Sequence, residues 1–182
     1  MKKIFTLVVL SVFAFTSCSD DGPQGPPGPQ GPPGEPGIDG FGQVIDFVNV
    51  DFTEANNYEF GMAFNDHDIE VFESDAVLVY LKVGEDGTAD DLPVEVFRPL
   101  PQTYYVDGEA VQYNYEFTFF NVWVFMDGTA DLGSLDPAYT DDQIIRIIVV
   151  PAEFADTVNT SSMDAVLKSL DIKESDIKKA SF

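Results

Sequence analysis

Apolar and polar residues alternate along several short stretches of this chain, and the clearest runs from Val111 to Phe119. Val111, Tyr113, Tyr115, Phe117 and Phe119 alternate there with Gln112, Asn114, Glu116 and Thr118. A period of two sends successive side chains to opposite faces, which predicts a half-buried antiparallel strand. Val44–Phe52 (VIDFVNVDF) is β-rich and partly alternating, and Tyr58–Phe64 follows as a second strand. Ala76–Val83 (AVLVYLKV) carries Val77, Val79, Leu81 and Val83 on one face. Val94–Tyr105 holds a strand broken by Pro99 and Pro101, and proline confines such a strand to an edge or a bulge. Val122–Met126 is a further strand. Ile144–Val150 is apolar on both faces except at Arg146, which marks a central strand.

Asp-Gly occurs at 86–87, 107–108 and 127–128, each time after a strand. Both residue types tolerate the positive φ of tight turns, so these pairs predict hairpins. The fold class expected is all-β: an antiparallel β-sandwich of jelly-roll or immunoglobulin-like type. One short C-terminal helix is predicted over Ser162–Leu170, with Ser161 or Ser162 as N-cap. The charged tail beyond it reads either as loose or as folding back onto the domain.

The N-terminal part follows other periods. Met1-Lys2-Lys3 precedes an apolar run from Ile4 to Phe15. Those 12 residues are too few to cross a bilayer, which takes about 20, and they fit the apolar region of an export signal. From Gly22 to Asp39 glycine returns at every third position, with proline between, through six Gly-X-Y triplets. This is the collagen pattern. As polyproline II the stretch extends roughly 55 Å, at about 3.1 Å per residue. Two readings stay open: a short triple helix of three chains, or a semi-rigid spacer of one. Proline removes the N–H donors of a phosphate-binding loop, and no Lys-Ser or Lys-Thr follows the glycines. The chain therefore divides into a signal (1–17), an acidic linker with a collagen-like stalk (18–40), a β domain (41–160), and a helix with a charged tail (161–182).

Charge narrows the partners. Across 182 residues there are 32 acids and 9 bases, a net charge of −23. Cleavage before Cys18 removes Lys2 and Lys3 and no acid, leaving 7 bases against the same 32 acids, or −25. Such a chain repels nucleic acid and anionic lipid head groups. Lys168, Lys173, Lys178 and Lys179 crowd the C-terminus, while Lys82, Arg98 and Arg146 are the bases of the body. Cys18 is the single cysteine, so the core stands without an internal disulfide.

Few residues carry candidate chemistry. Asp86, Asp90, Asp127 and Asp131 belong to two copies of the string DGTAD, readable as plain turns or as Ca²⁺ ligands, carboxylate oxygen being what that ion takes. The spacing is not that of an EF-hand. Beyond Ca²⁺, no cofactor is indicated. Arg98 and Arg146 interrupt β segments and are expected in structural ion pairs. His67 stands between Asp66 and Asp68 as a lone histidine. Tyr104, Tyr105, Tyr113, Tyr115 and Trp123 read as core or as a stacking platform for sugar rings. HExxH, GxSxG, GxGxxG and redox cysteine pairs are absent from the sequence, and the chain is read as non-enzymatic.

Several of these segments together resemble a family. Phe15-Thr16-Ser17-Cys18 is similar to a bacterial lipobox, with Phe15 where that pattern has an aliphatic residue. Added to it are the Gly-Pro triplets, AVLVYLKV, Arg98-Pro-Leu-Pro-Gln-Thr-Tyr-Tyr105, Val111-Gln-Tyr-Asn-Tyr-Glu-Phe117 and Ile145-Arg-Ile-Ile-Val-Val-Pro151. Over nearly its whole length the chain resembles the collagen-like lipoproteins of Bacteroidota. The resemblance implies lipidation at Cys18 and an outer-membrane location. Ser19-Asp20-Asp21 resembles the surface-export signal of such proteins, with the periplasmic face as the alternative. Asp156-Thr157-Val158 resembles their short O-glycosylation motif, at Thr157. The partners expected are the membrane through the lipid, envelope proteins or glycans, and, on the triple-helix reading of the triplets, two further copies of the chain. The expected function is an accessory or adhesive envelope component, the alternatives being a carbohydrate-binding module and, behind it, a glycan hydrolase. Replacing Cys18 by Ser is expected to abolish incorporation of labelled fatty acid into the protein, and incorporation that persists in the variant would refute lipid anchoring at this residue.

Overall fold

The computed structural model describes residues 42–89 and 92–181. The segment expected as an export signal, Cys18, the Gly-X-Y triplets and Asp90 lie outside these residues. The described chain is mostly β, in two sheets whose pairings are antiparallel with one exception. Its strands are β1 (Gln43–Val50), β2 (Glu59–Ala63), β3 (Asp75–Ala89), β4 (Leu92–Pro99), β5 (Gln102–Val106), β6 (Glu109–Phe117), β7 (Asn121–Gly128), β8 (Gln143–Pro151) and β9 (Lys178–Ser181). The larger sheet runs β4-β3-β8-β1-β9 and the smaller runs β2-β7-β6-β5. The exception is β9, which lies parallel to β1.

The alternation read from the sequence decides which residues meet between the sheets. Val77, Val79 and Leu81 of β3, Ile145, Ile147 and Val149 of β8, and Ile45 and Phe47 of β1 point inward from the larger sheet. Phe60 and Met62, Val111 and Tyr113, and Val122, Val124 and Met126 meet them from the smaller one. Each such side chain contributes about 1.5–3 kcal/mol when fully removed from water. β8 is apolar on both faces because both faces are covered. Its other face, with Ile148 and Val150 beside Tyr80 of β3, lies under a C-terminal layer.

That layer is more than the one helix expected. Besides α1 (Pro137–Thr140), which precedes β8, the described residues hold α2 (Ala152–Thr157) and α3 (Met163–Ser169), and these two form the layer with the tail. In α3, Met163, Val166, Leu167 and the following Leu170 make one apolar stripe on the sheet. The Ser162 side chain accepts the Ala165 N–H at 3.3 Å and caps its start. A seven-residue helix is not stable by itself, so α3 depends on this docking. The tail beyond is packed: Ile177 is buried and β9 extends the larger sheet.

The two prolines do what the sequence predicts in an unexpected way. They end β4 at one edge of the larger sheet and let β5 begin at the edge of the smaller one. Of the three Asp-Gly pairs, Asp107-Gly108 forms a two-residue hairpin, with φ of 52° and 91°. Asp86-Gly87 instead lies within β3, at a shift of register against β4, and Asp127-Gly128 ends β7.

Two buried tyrosines tie loops to this frame. The Tyr80 hydroxyl donates to the Thr160 carbonyl at 2.6 Å, and the Tyr113 hydroxyl donates to the Tyr139 carbonyl. Burial pushes the Tyr80 hydroxyl up to about 12, with Tyr115 adding to the shift, and raises Tyr113 as well. The unfolded chain then loses these protons first, so stability is intact below pH 10 and falls as pH rises toward 12. Tyr80 alone accounts for about 2–3 kcal/mol of that loss. Denaturant unfolding from neutral pH to pH 12 is expected to show this decline, and Tyr80→Phe to flatten it. An unchanged slope in the variant would refute the assignment.

Candidate functional surface

Two apolar strands each carry one charge. In β1 it is Asp46, between Ile45 and Phe47; in β8 it is Arg146, between Ile145 and Ile147. The antiparallel register sets these residues directly opposite each other, on the face under the C-terminal layer. Both side chains are fully buried. Arg146 Nε donates to Asp46 Oδ1 at 2.7 Å and Nη2 to Oδ2 at 2.9 Å. Its other edge donates to Glu174 of the tail, Nη1 to Oε1 and Nη2 to Oε2, both at 2.7 Å. The Phe97 ring lies 4.1 Å from the guanidinium carbon. Burial alone would lower the arginine's pKa; the hydrogen bonds and charges of Asp46 and Glu174 outweigh it and raise it. Lys82, bonded to Glu85 and Glu95, continues the network on β3 and β4.

Arg146 is thus a structural group. Arg98 is different: it is exposed on the edge strand β4 and forms no salt bridge among the described residues. Its charge acts instead on Tyr104, whose hydroxyl burial pushes up and Arg98 draws partly back.

The aromatic residues divide by strand parity. Tyr113 is core, and Tyr104 packs beside it. Tyr105 and Trp123 point out from the smaller sheet, 77% and 43% exposed. Here the smaller sheet differs from the larger, because its outer face is open. Trp123 is paired with Gly61 on β2 and Glu116 on β6. Its ring lies on Gly61 so closely that a Cβ there would stand 2.2 Å from two ring carbons. Phe125 follows on the same face, between Glu59 and Asn114. Gln112 donates to Thr103 across β6 and β5 at 2.8 Å. None of the four strands of this sheet contains lysine or arginine. The face thus combines flat aromatic area with carboxylates and amides, and carries no cation.

The other candidates fall elsewhere. Asp86 is exposed in the far part of β3, while Asp127 and Asp131 belong to the smaller sheet and the loop after it. The Asp127 carboxylate accepts from the Gly128 N–H at 2.7 Å, and Asp131 caps a 3₁₀ turn through the Gly133 N–H at 3.1 Å. Among the described residues no group of three His, Cys, Asp or Glu side chains is placed to hold a metal ion. His67 stacks edge-on against Phe47, with ring centres 4.9 Å apart, and its carbonyl accepts from Lys178. Thr157 ends α2, exposed, with its hydroxyl donating to the Phe154 carbonyl at 3.0 Å. Two clefts of about 260 Å³ lie beside the sheets. One is lined by Phe72, Asp75, Phe117 and Phe119, the other by Tyr80, Leu100, Tyr115 and Thr160.

Sequence reasoning missed Gly61, Asp46 and Glu174. Asp46 had a signal: it is the charge that interrupts β1 as Arg146 interrupts β8. Gly61 and Glu174 had none, since their roles depend on what crosses them in space.

These features define a mostly β protein of two packed sheets, with one sheet covered on both faces and the other open on one. Comparison of the chain with protein-family models, curated proteins and solved structures gives no match.

Asp46→Ala and Arg146→Ala each strand a buried partner charge and are expected to cost about 3–5 kcal/mol. Glu174→Gln, at a side chain 58% exposed, is expected to cost no more than about 1 kcal/mol. Denaturant midpoints of the three variants check the order, and a Glu174 effect as large as that of Asp46 would overturn it.

Proposed function

We propose that this chain is a non-enzymatic lipoprotein of the outer membrane, an accessory or adhesive component of the cell envelope. The lipobox-like end, the acidic residues after Cys18 and the export signal support anchoring at the cell surface. The Gly-X-Y triplets support a homotrimer, because glycine at every third position is needed at a triple-helix axis and not in a single-chain spacer. The domain they carry is read as a β-sandwich, nearer to a jelly roll than to an immunoglobulin fold. Supporting that is the nested pairing of its strands, β1 with β8 and β2 with β7.

The observation that carries the contact role is the open, cation-free face of the smaller sheet. A strand face that packs on nothing normally alternates toward lysine and threonine; this one has Trp123, Phe125 and Tyr105 among carboxylates and amides. Large exposed aromatics with polar neighbours mark binding surfaces. Net charge directs this face to neutral or basic partners.

A second reading, glycan capture, is favoured by one feature. The Trp123 ring packs against Gly61 and is still 43% exposed, which leaves part of it available as a platform for a sugar ring. Because it is the single tryptophan, its fluorescence reports directly on this face. Titration with neutral polysaccharides is expected to change that emission. By glycan pull-down, Trp123→Ala and Gly61→Val are each expected to weaken binding roughly threefold to tenfold, with the fold retained. If no glycan perturbs the tryptophan and both variants adhere to cells as the parent does, the face is not the contact surface.

A further inference from the structure

The alternating face of β6 contains more apolar residues than the core uses. Val111 and Tyr113 are buried and Tyr115 is half-buried, but Phe117, where the strand ends, is exposed. Phe119 and Phe120 follow it in the loop to β7, their rings 3.9 Å apart. Phe72, from the loop before β3, faces Phe117 and Phe119 across the cleft of about 260 Å³. Phe72 is 60% and Phe120 57% exposed. Four phenylalanines thus gather at one end of the domain, and none of them is needed to fill the space between the sheets.

That end is also where the chain enters. Gln43, the first residue of β1, exchanges two hydrogen bonds with Glu70: its Nε2 donates to the Glu70 carbonyl at 2.8 Å, and its Oε1 accepts the Glu70 N–H at 3.3 Å. Phe72 is two residues beyond Glu70. Between the last Gly-X-Y triplet and Gln43 stand only Gly40, Phe41 and Gly42. Three residues span at most about 11 Å. In a triple helix of three such chains, the entry points of the three heads are therefore held close to one axis.

We propose that the phenylalanine cluster at this end is the surface through which three copies of the chain meet, and that this contact nucleates the Gly-X-Y triple helix. The proposal rests on the homotrimer read from the triplets and names the surface that completes it. Six triplets are a short repeat, so help from the heads is expected. Each buried phenylalanine removes a large apolar area from water. A triple-helical stalk would hold the heads at an effective concentration near the millimolar range, where a modest contact suffices. Glu73 and Asp75 line the cleft beside the phenylalanines, so the association of these acidic heads is expected to strengthen with salt.

Cysteine crosslinking in the full lipidated chain, in its own membrane, tests this. The chain has no cysteine besides Cys18, so an introduced thiol reports without interference. Phe119→Cys is expected to give disulfide-linked dimers under mild oxidation, the most that one thiol per chain can join. Glu109→Cys, eight residues before Phe117 on β6 and so about 27 Å away, is expected to give none. In sedimentation of the detergent-solubilised chain, the doubly substituted Phe72→Asp, Phe119→Asp protein is expected to associate about tenfold more weakly than the parent, with an unchanged thermal midpoint of the β domain. A parent that sediments as a monomer would refute the homotrimer, and this surface with it. A trimeric parent whose Glu109→Cys and Phe119→Cys variants crosslink equally, or a trimer indifferent to the double substitution, would refute the surface alone. Flotation of the unlipidated chain on zwitterionic vesicles, lost in the double variant, would assign the cluster to lipid instead.

Discussion

The structure depends on one buried guanidinium. Arg146 sits in the middle of the central strand of the larger sheet, where a charge is tolerated only if every donor is met. Asp46 meets one edge from the neighbouring strand, and Glu174 meets the other from the C-terminal tail. This pairing contributes register more than net stability. A slip of β1 by one residue would turn Asp46 to the opposite face and leave Arg146 facing Ile45 or Phe47. The pairing also accounts for the tail. Without the residues after 160, one side of Arg146 and the apolar stripe beneath α3 would lie open to water. The helix and tail are therefore part of the same packed body as the strands, whatever their sequence character suggests.

From this follows an asymmetry between the sheets. The larger sheet is covered on both faces, by the smaller sheet on one and by the C-terminal layer on the other. It is frame. The smaller sheet is covered on one face alone, and its open face has no basic residue to repel a cationic group or to pair with an anionic one. Trp123 is held there by a glycine chosen by space, since any side chain at position 61 would lift the ring. A sheet buried on both faces thus backs a sheet that is open on one.

Much of the fold was legible in the sequence because burial imposes a period. The β6 alternation, the valine face of β3 and the double-sided apolar run of β8 each map onto strands at those positions. Turn chemistry was legible only where nothing competed. Asp107-Gly108 closes a hairpin, but Asp86-Gly87 lies inside a longer strand, because β3 and β4 continue to pair beyond it. Positive φ serves a bulge as well as a turn, and composition does not distinguish them.

The sequence by itself determined the strand periods, the central place of β8, the acidic balance and the Gly-X-Y repeat, since each of these is a local property of residue type and spacing. What faces what was decided only in three dimensions. Arg98 and Arg146 look alike in sequence, yet one reaches solvent at an edge and the other is enclosed by two carboxylates 100 and 28 residues away. Phe117 and Phe119 continue a core pattern, yet both stand exposed at the end of the smaller sheet. Burial is set by how far the partner surface extends, and that length is written in other parts of the chain.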